Sequence, residues 1–213
     1  MALDPSLTEF TTASPILANY DYNDLAEGTG NVEFYGGTTK ELTVVNHILR
    51  RGTFFSNWNN RFTQAAVTGG NAKRIDLDFD LSAFKNAQVI NGTGYVYIPV
   101  INAGNCTSYA IARVRKVSAT GAESEIASAT SETTNTLAEH IFAMALTIPK
   151  TPIATGETLR VTIEIWALST SGNTHVGLAH DSNGGDCDFP SITNSITAGN
   201  SYLKVNIPFE INL

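Results

Sequence analysis

The stretch Glu157–Asp181, ETLRVTIEIWALSTSGNTHVGLAHD, decides the fold. From Leu159 to Ala167 every second residue is apolar, which is the alternation of a strand with one buried face. Ser169–Asn173 then supplies a turn cluster containing Ser, Gly and Asn, and the β-rich segment Thr174–Ala179 follows at once. We therefore predict a β-hairpin here, and the rest of the chain must supply the sheet against which it packs.

A second alternating segment, Arg74–Leu81 (RIDLDFDL), places its apolar residues on one face and Asp76, Asp78 and Asp80 on the other. Successive carboxylates on one face of a strand lie about 7 Å apart, too far for all three to reach one cation. We interpret them as a solvent-facing or partner-facing edge that discourages strand pairing, with a metal site as the alternative.

The other segments predict further short strands and turns. Gly36–Gly37 indicates a turn, and Thr120–Gly121 indicates a turn that closes a second hairpin. A strand rich in Tyr, Val and Ile is expected to end at Pro99, at an edge or a bulge. Val44–Arg51 is interpreted as a strand, although its apolar spacing also fits a helical turn, and Thr136–Pro149 is open between helix and strand, with a strand favoured for its second half.

About a dozen strand-sized segments with turns at regular spacing predict an all-β fold, an antiparallel β-sandwich of the jelly-roll type. Residues 1–30 show neither helical nor strand periodicity and are predicted to form an extended N-terminal arm. Residues 31–213 are predicted to form a single sandwich domain, since all-β domains often reach this size.

The composition excludes several function classes. The chain is 42% hydrophobic and 15% charged with a net charge of −7, whereas nucleic-acid binding rests on clustered Lys and Arg. We find no basic and apolar leader and no run long enough to cross a bilayer, so we expect a soluble protein made in the cytosol, with neither a nucleic-acid nor a membrane partner. Cys106 and Cys187 are expected to be free thiols, although one disulfide stays open.

One loop offers metal-like chemistry. Residues 180–188 contain hard oxygen donors among glycines that permit tight wrapping, which makes calcium the candidate ion. The same residue types are common in solvated turns, which is the alternative. We expect no cofactor, with calcium left open at Asp181, Asn183, Asp186 and Asp188.

No catalytic signature is present in the sequence. His180 beside Asp181 suggests a base with an orienting acid, yet no Ser or Cys elbow lies nearby and GxSxG is absent. The histidines show no zinc-protease spacing, and they are interpreted as surface residues or satisfied core residues. The sequence therefore predicts no enzymatic activity. Trp58 and Trp166 could stack on sugar rings, but outward aromatic residues on a sandwich more often mark protein contacts.

The arm carries spaced apolar residues that suit docking along a neighbour or along its own domain. The residues expected to bind a partner are Leu7, Phe10, Ile16, Leu17 and Tyr20 of the arm, together with Trp166 of the domain.

Four segments carry a resemblance: DFDLSAFKNAQVINGTGYVYIPV (78–100), LTIPKTPIATGETLRVTIEIWA (146–167), GLAHDS (177–182) and LKVNIPFEI (203–211). From about residue 30 to residue 213 the chain resembles small β-sandwich virion structural proteins of tailed bacteriophages, of the capsid-decoration, vertex or tail-associated type. The resemblance implies a non-enzymatic protein that binds the capsid surface through its sandwich and arm. It also implies a homotrimer whose partner is the major capsid protein or another virion protein, located in the virion and assembled in the host cytoplasm. The alternative it leaves is a tail-associated or fibre-associated module that binds a receptor or glycan.

Overall fold

The computed structural model describes residues 29–41, 44–52, 62–136, 139–170, 174–181 and 202–210. These residues form eleven β-strands and contain no helix. The strands are β1 (Thr29–Glu41), β2 (Val44–Arg50), β3 (Phe62–Val67), β4 (Ala72–Asp80), β5 (Gln88–Ala103), β6 (Cys106–Val117), β7 (Glu123–Thr130), β8 (Glu139–Ile153), β9 (Thr158–Ser169), β10 (Thr174–Ala179) and β11 (Lys204–Glu210).

The strands form two layers. One layer has the order β3-β10-β5-β11-β1-β2, with β8 on the other edge of β5, and the second has the order β4-β9-β6-β7. A single parallel pair, Ile48 with Asp80, joins β2 to β4, and every other strand pair is antiparallel. The prediction of an all-β antiparallel sandwich is therefore confirmed. Within the described ranges no helix has the length and apolar character that crossing a bilayer requires.

One hydrophobic core lies between the layers. The alternating residues of β9 are at most 1% exposed from Leu159 to Ala167, as the sequence pattern predicted. They belong to the same core cluster as Val96 and Ile98 of β5 and Leu146 of β8. Each large apolar side chain buried in this way stabilises the fold by about 1.5–3 kcal/mol.

The stretch that opened the sequence analysis is not a hairpin. β9 pairs with β4 and β6, whereas β10 pairs with β3 and β5, so the chain passes from one layer to the other between these strands. The prediction was wrong because a turn-rich connection between two strands suits a corner between layers as well as a tight hairpin. The second predicted hairpin is confirmed, since β6 and β7 pair directly around Thr120–Gly121.

Gly36 and Gly37 do not form a turn. Both lie within β1, where they pair with Leu49 and Ile48 of β2. A Cβ on Gly36 would lie 2.8 Å from Cδ2 of Leu203 and 3.0 Å from the carbonyl oxygen of His180. Gly36 is thus required for close approach of neighbouring chain segments, and the sequence alone does not distinguish this from a turn.

β5 does not end at Pro99. The strand pairs with β11 as far as Tyr97 and with β10 from Val100 onward, so Pro99 lies where one partner strand replaces the other. Proline lacks the N–H that a central strand uses for pairing, and at this position Pro99 has a partner residue only in β8.

The two ambiguous segments are both strands. Val44–Arg50 pairs with β1 along its whole length, and Glu139–Ile153 pairs with β5. In β8 the residues from Ile141 to Ile148 alternate strictly between exposed and buried. The first half of β8, where a helix had been an alternative, is therefore also extended.

The predicted arm, residues 1–30, falls almost wholly outside the described residues. Only Thr29 and Gly30 are described, and they begin β1 opposite Glu210 and Phe209 of β11. These two residues of the predicted arm therefore belong to β1, and the division into an arm and a single domain stays a prediction.

Candidate functional site

Three ring side chains and one hydroxyl cluster at the end of β10. We call this cluster the histidine corner, and its members are His47, Phe79, His180 and Thr63. The rings of His47 and His180 meet edge to face with centroids 5.2 Å apart, and the ring of Phe79 lies 5.2 Å from His47 and 5.8 Å from His180. The Nε2 atom of His180 is 3.2 Å from Oγ1 of Thr63. Four strands contribute to this corner, since it contains side chains of β2, β3 and β4 and the residue that follows β10.

Burial keeps both imidazoles of this corner neutral. His180 is 1% exposed, and loss of solvation followed by the nearby His47 lowers its pKa to about 3. Burial also lowers the pKa of half-buried His47, although the negative charge of Asp78 acts in the opposite direction. Neutral imidazole carries a nitrogen lone pair that can accept a proton or bind a metal ion.

The outer face of the layer β4-β9-β6-β7 is polar, and Arg160 lies near one end of it, opposite Asp80, the last residue of β4. Its guanidinium contacts Asp80 through two hydrogen bonds, and it also binds Asp78 at 3.2 Å and Glu123 at 2.6 Å. The hydrogen bond to Asp80 raises the pKa of Arg160 most, against the opposing effect of burial. The prediction that the three β4 carboxylates face away from the core is confirmed, but β4 lies between β9 and β2 and is not an edge strand.

Trp166, predicted to bind a partner, lies on the same polar face and is half-buried. Its ring is stacked against Tyr109 with centroids 6.2 Å apart, and its Nε1 donates to Oε2 of Glu164 at 2.9 Å. Burial opposes ionisation of Glu164, but the hydrogen bond from Trp166 and the charges of Lys73 and Arg113 outweigh it and lower its pKa. Trp166 is thus held in place by its own neighbours, and its contact with a partner stays a prediction.

Part of the opposite outer face, on β5 and β8, is apolar. We call this part the apolar seat, and it consists of the cross-strand pairs Tyr95 with Ala145 and Tyr97 with Ala143, together with Ile141. Pro99, the partner of Ile141 in β5, is buried. Ile141 is 49% exposed and Tyr95 is 42% exposed, and the only other large apolar side chain exposed in the described part of the chain is Val45 of β2.

The apolar seat continues into an open groove of about 520 Å³ between β7 and β8. The groove is lined by Ala129–Glu132 and His140–Ala145, so it shares three residues with the seat. Within the described residues β7 pairs only with β6 and β8 only with β5, which leaves a strand edge on each side of the groove without a paired strand. Exposed large apolar side chains beside an open groove are typical of an interaction site.

The predicted calcium loop is described only at its first residue. Asp181 is 3% exposed and directly follows His180, whereas Asn183, Asp186 and Asp188 lie outside the described residues. No group of three His, Cys, Asp or Glu side chains suited to a metal ion occurs in the described part of the chain. Calcium at this loop therefore stays a prediction.

The remaining predicted residues have mixed outcomes. Cys106 is a free, buried thiol whose pKa is raised by loss of solvation, and Cys187 lies outside the described residues. The partner-binding residues of the arm also lie outside them; these are Leu7, Phe10, Ile16, Leu17 and Tyr20. The homotrimer and the virion location stay predictions that nothing in the structure tests.

Sequence reasoning missed the histidine corner and the apolar seat. His47 and His180 are far apart in the chain and follow no motif, so only the folded structure brings their rings together. The sequence does contain a pattern that indicates the seat, because the alternation in β8 places Ile141, Ala143 and Ala145 on one side of the strand. Their exposure could not be inferred, because a run with apolar residues on both faces is equally typical of a strand buried on both sides.

Comparisons with known proteins identify the fold. No family model matches the sequence, and no curated protein matches it. An α-amino acid ester hydrolase is similar in structure, with a TM-score of 0.54 and 10% identity over 84% of this chain and 36% of the hydrolase. An aminopeptidase from a marine sediment Thaumarchaeota archaeon gives a TM-score of 0.51 and 5% identity over 83% of this chain and 36% of the enzyme. A CocE/NonD family hydrolase from Staphylococcus aureus gives 0.47 and 11% identity over 84% of this chain and 37% of that one.

The chain thus spans about a third of the length of the hydrolases it matches. These findings contradict the prediction of a non-enzymatic phage virion protein, because the two enzymes named above with a TM-score over 0.5 are an ester hydrolase and an aminopeptidase. The same findings contradict the alternative, a tail-associated or fibre-associated module that binds a receptor or glycan. The resemblance rested on strand-edge patterns, which β-sandwiches of unrelated function share. The chain has the β-sandwich fold found within two hydrolases.

Proposed function

We propose that the chain acts as part of a hydrolytic enzyme, as the β-sandwich portion against which a catalytic portion packs. The support from the comparisons is an analogy of fold. In an ester hydrolase and in an aminopeptidase, the part similar to this chain makes up 36% of the polypeptide. A sandwich within such an enzyme has to share a surface with the remainder of it.

The observation that carries the proposal is the exposed apolar seat. Ile141 and Tyr95 stand on one outer face with about half of each side chain open to water, and alanines lie between them. Burying such a face removes apolar area from water at about 25 cal/mol per Å². On the other outer face the charged side chains already pair with one another, since Arg160 binds Asp80 and Arg113 binds Glu125 and Glu164.

One pair of opposite charges lies beside the seat. Lys204 binds Glu33 and lies 5.8 Å from the centre of the Tyr97 ring. Glu33 in turn accepts a hydrogen bond from Tyr35. A partner could therefore cover the seat without leaving these charges unpaired, which is the condition under which burial of a charged rim is tolerated.

The test measures hydrolysis directly. The purified chain is immobilised and exposed to a lysate of the cells that produce it, and the washed material is assayed with p-nitrophenyl esters and amino-acid p-nitroanilides. We expect hydrolase activity on the immobilised wild-type chain and at least about tenfold less activity on immobilised Ile141→Asp. The reason is that a buried anchor residue commonly contributes about 2 kcal/mol or more to binding.

Val45→Asp is the matched control. Val45 is 38% exposed but lies on β2, away from the seat, so this variant is expected to behave like the wild type. Absence of hydrolase activity from both the chain and the captured material would contradict the proposal. Equal capture by Ile141→Asp and the wild type would show that the seat is not the surface against which the catalytic portion packs.

A further inference from the structure

The histidine corner has a feature that ordinary core packing does not explain. The Nδ1 atom of His180 is fully buried and has no hydrogen-bond partner among the described residues. A buried polar atom without a partner typically costs about 1–3 kcal/mol. Such atoms are rare in native proteins and call for a specific explanation.

One tautomer of His180 fits both its contact with Thr63 and the binding of a metal ion. Nε2 lies 3.2 Å from the hydroxyl of Thr63, and when Nε2 carries the proton it donates to that oxygen. Nδ1 then presents a lone pair inside the protein. A metal-binding histidine is held in the same way, with one ring nitrogen donating to a second residue and the other free to coordinate.

The second imidazole is adjacent. His47 meets His180 edge to face, with ring centroids 5.2 Å apart, which places two imidazoles within the span of one coordination sphere. His47 is half-buried, so the pair can be reached from solvent on its side. Both rings are neutral at pH 7 for the reasons given above, and a neutral ring is the form that binds metal.

The surrounding charge favours a cation. The carboxylate of Asp78 is close enough to act electrostatically on His47, and Asp181 is buried directly after His180. Phe79 covers one side of the pair and limits access of water. Imidazole ligands in such a setting suit zinc, copper and nickel, whereas calcium and magnesium prefer oxygen donors.

We propose that His47 and His180 together bind one divalent transition-metal ion, with zinc as the ion to be tested. Thr63 is the positioning residue, because its hydroxyl fixes which nitrogen of His180 faces the ion. No third His, Cys, Asp or Glu joins the pair in the described part of the chain, so other ligands must complete the coordination of the ion. This inference does not depend on the proposed hydrolytic role.

The experiment titrates the metal-free full chain with Zn²⁺ and, separately, with Co²⁺, whose visible absorption reports coordination by protein ligands. We expect one ion per chain and a thermal stabilisation that grows with Zn²⁺ concentration, as binding to the folded state requires. His47→Gln, at a half-buried position, is expected to abolish the cobalt spectrum and the stabilisation by zinc.

His175→Gln is the matched control, because His175 is also a half-buried histidine but lies in β10 outside the corner. Thr63→Val is expected to weaken zinc binding by about tenfold, and Thr63→Ser is expected to restore it. The proposal is overturned if the wild-type chain binds no zinc. It is also overturned if His47→Gln binds zinc as tightly as His175→Gln does.

Discussion

Arg160 holds Asp80 across the β4–β9 pair by two hydrogen bonds, from Nε to Oδ1 at 2.7 Å and from Nη2 to Oδ2 at 2.8 Å. The two residues are direct cross-strand neighbours, so the planar guanidinium meets the carboxylate without distortion of either strand. The same guanidinium reaches Glu123, the first residue of β7. Arg160 therefore links three strands of the polar layer.

Arg160→Lys is expected to lower the free energy of unfolding by about 1 kcal/mol, because a lysine ammonium cannot reproduce the two-point contact with Asp80. Denaturant unfolding at low and high salt measures it, and the difference should shrink in high salt. Lys150→Met is the control, since Lys150 has a 68% exposed side chain and pairs only at the surface with Glu210. An equal loss in both variants would contradict a special role for Arg160.

Gly36→Ala is expected to destabilise the protein by about 1–3 kcal/mol, as overpacking of a tight site does. The added methyl group would meet Leu203 at 2.8 Å and the His180 carbonyl at 3.0 Å, so β1 or its neighbours must shift. Gly70→Ala is the matched control, because a Cβ there meets no atom within 4 Å. Thermal unfolding of both variants checks the prediction, and a wild-type melting temperature for Gly36→Ala would refute it.

The histidine corner is expected to make stability depend on pH below neutrality. The pKa of His180 is about 3 in the folded protein and about 6.5 when unfolded, so the unfolded chain binds more protons between these values. Stability is fully present above the unfolded pKa and falls as the pH decreases through it, by about 1.4 kcal/mol per pH unit for this group.

Urea unfolding at pH 7 and pH 5.5 measures that slope before most carboxylates titrate. His180→Gln should reduce it, because one of the two groups that take up a proton on unfolding is gone, and His175→Gln should retain it. A slope that is unchanged in His180→Gln would show that other groups carry the pH dependence.

The sequence predicted those parts of the fold that depend on local alternation. β4 and β9 were readable because apolar residues recur at every second position, and the all-β class followed from many such segments. The sequence did not predict the parts of the fold that depend on which strands pair with one another. β9 and β10 are neighbours in the chain but lie in different layers, and nothing local in Ser169–Asn173 distinguishes a corner from a hairpin.

The candidate sites were harder to predict for the same reason. His180 was noticed for the acid beside it, yet its structural partners are Thr63, His47 and Phe79, which come from three other strands. A site assembled from single residues on separate strands leaves no spacing signature. Trp166 was chosen as a contact residue from its type alone, and its ring proved to be engaged by Glu164 and Tyr109.

The change of partner at Pro99 also has a consequence for how the protein reaches its native state. β5 pairs with β8, β10 and β11, and all three follow it in the chain, the last of them by about a hundred residues. During synthesis β5 therefore emerges with neither edge paired, and its pairing is complete only after most of the chain has been synthesised. Contacts between such distant segments slow folding, so we expect refolding on a timescale of about milliseconds to seconds, with association through the bare edges of β5 as the competing reaction.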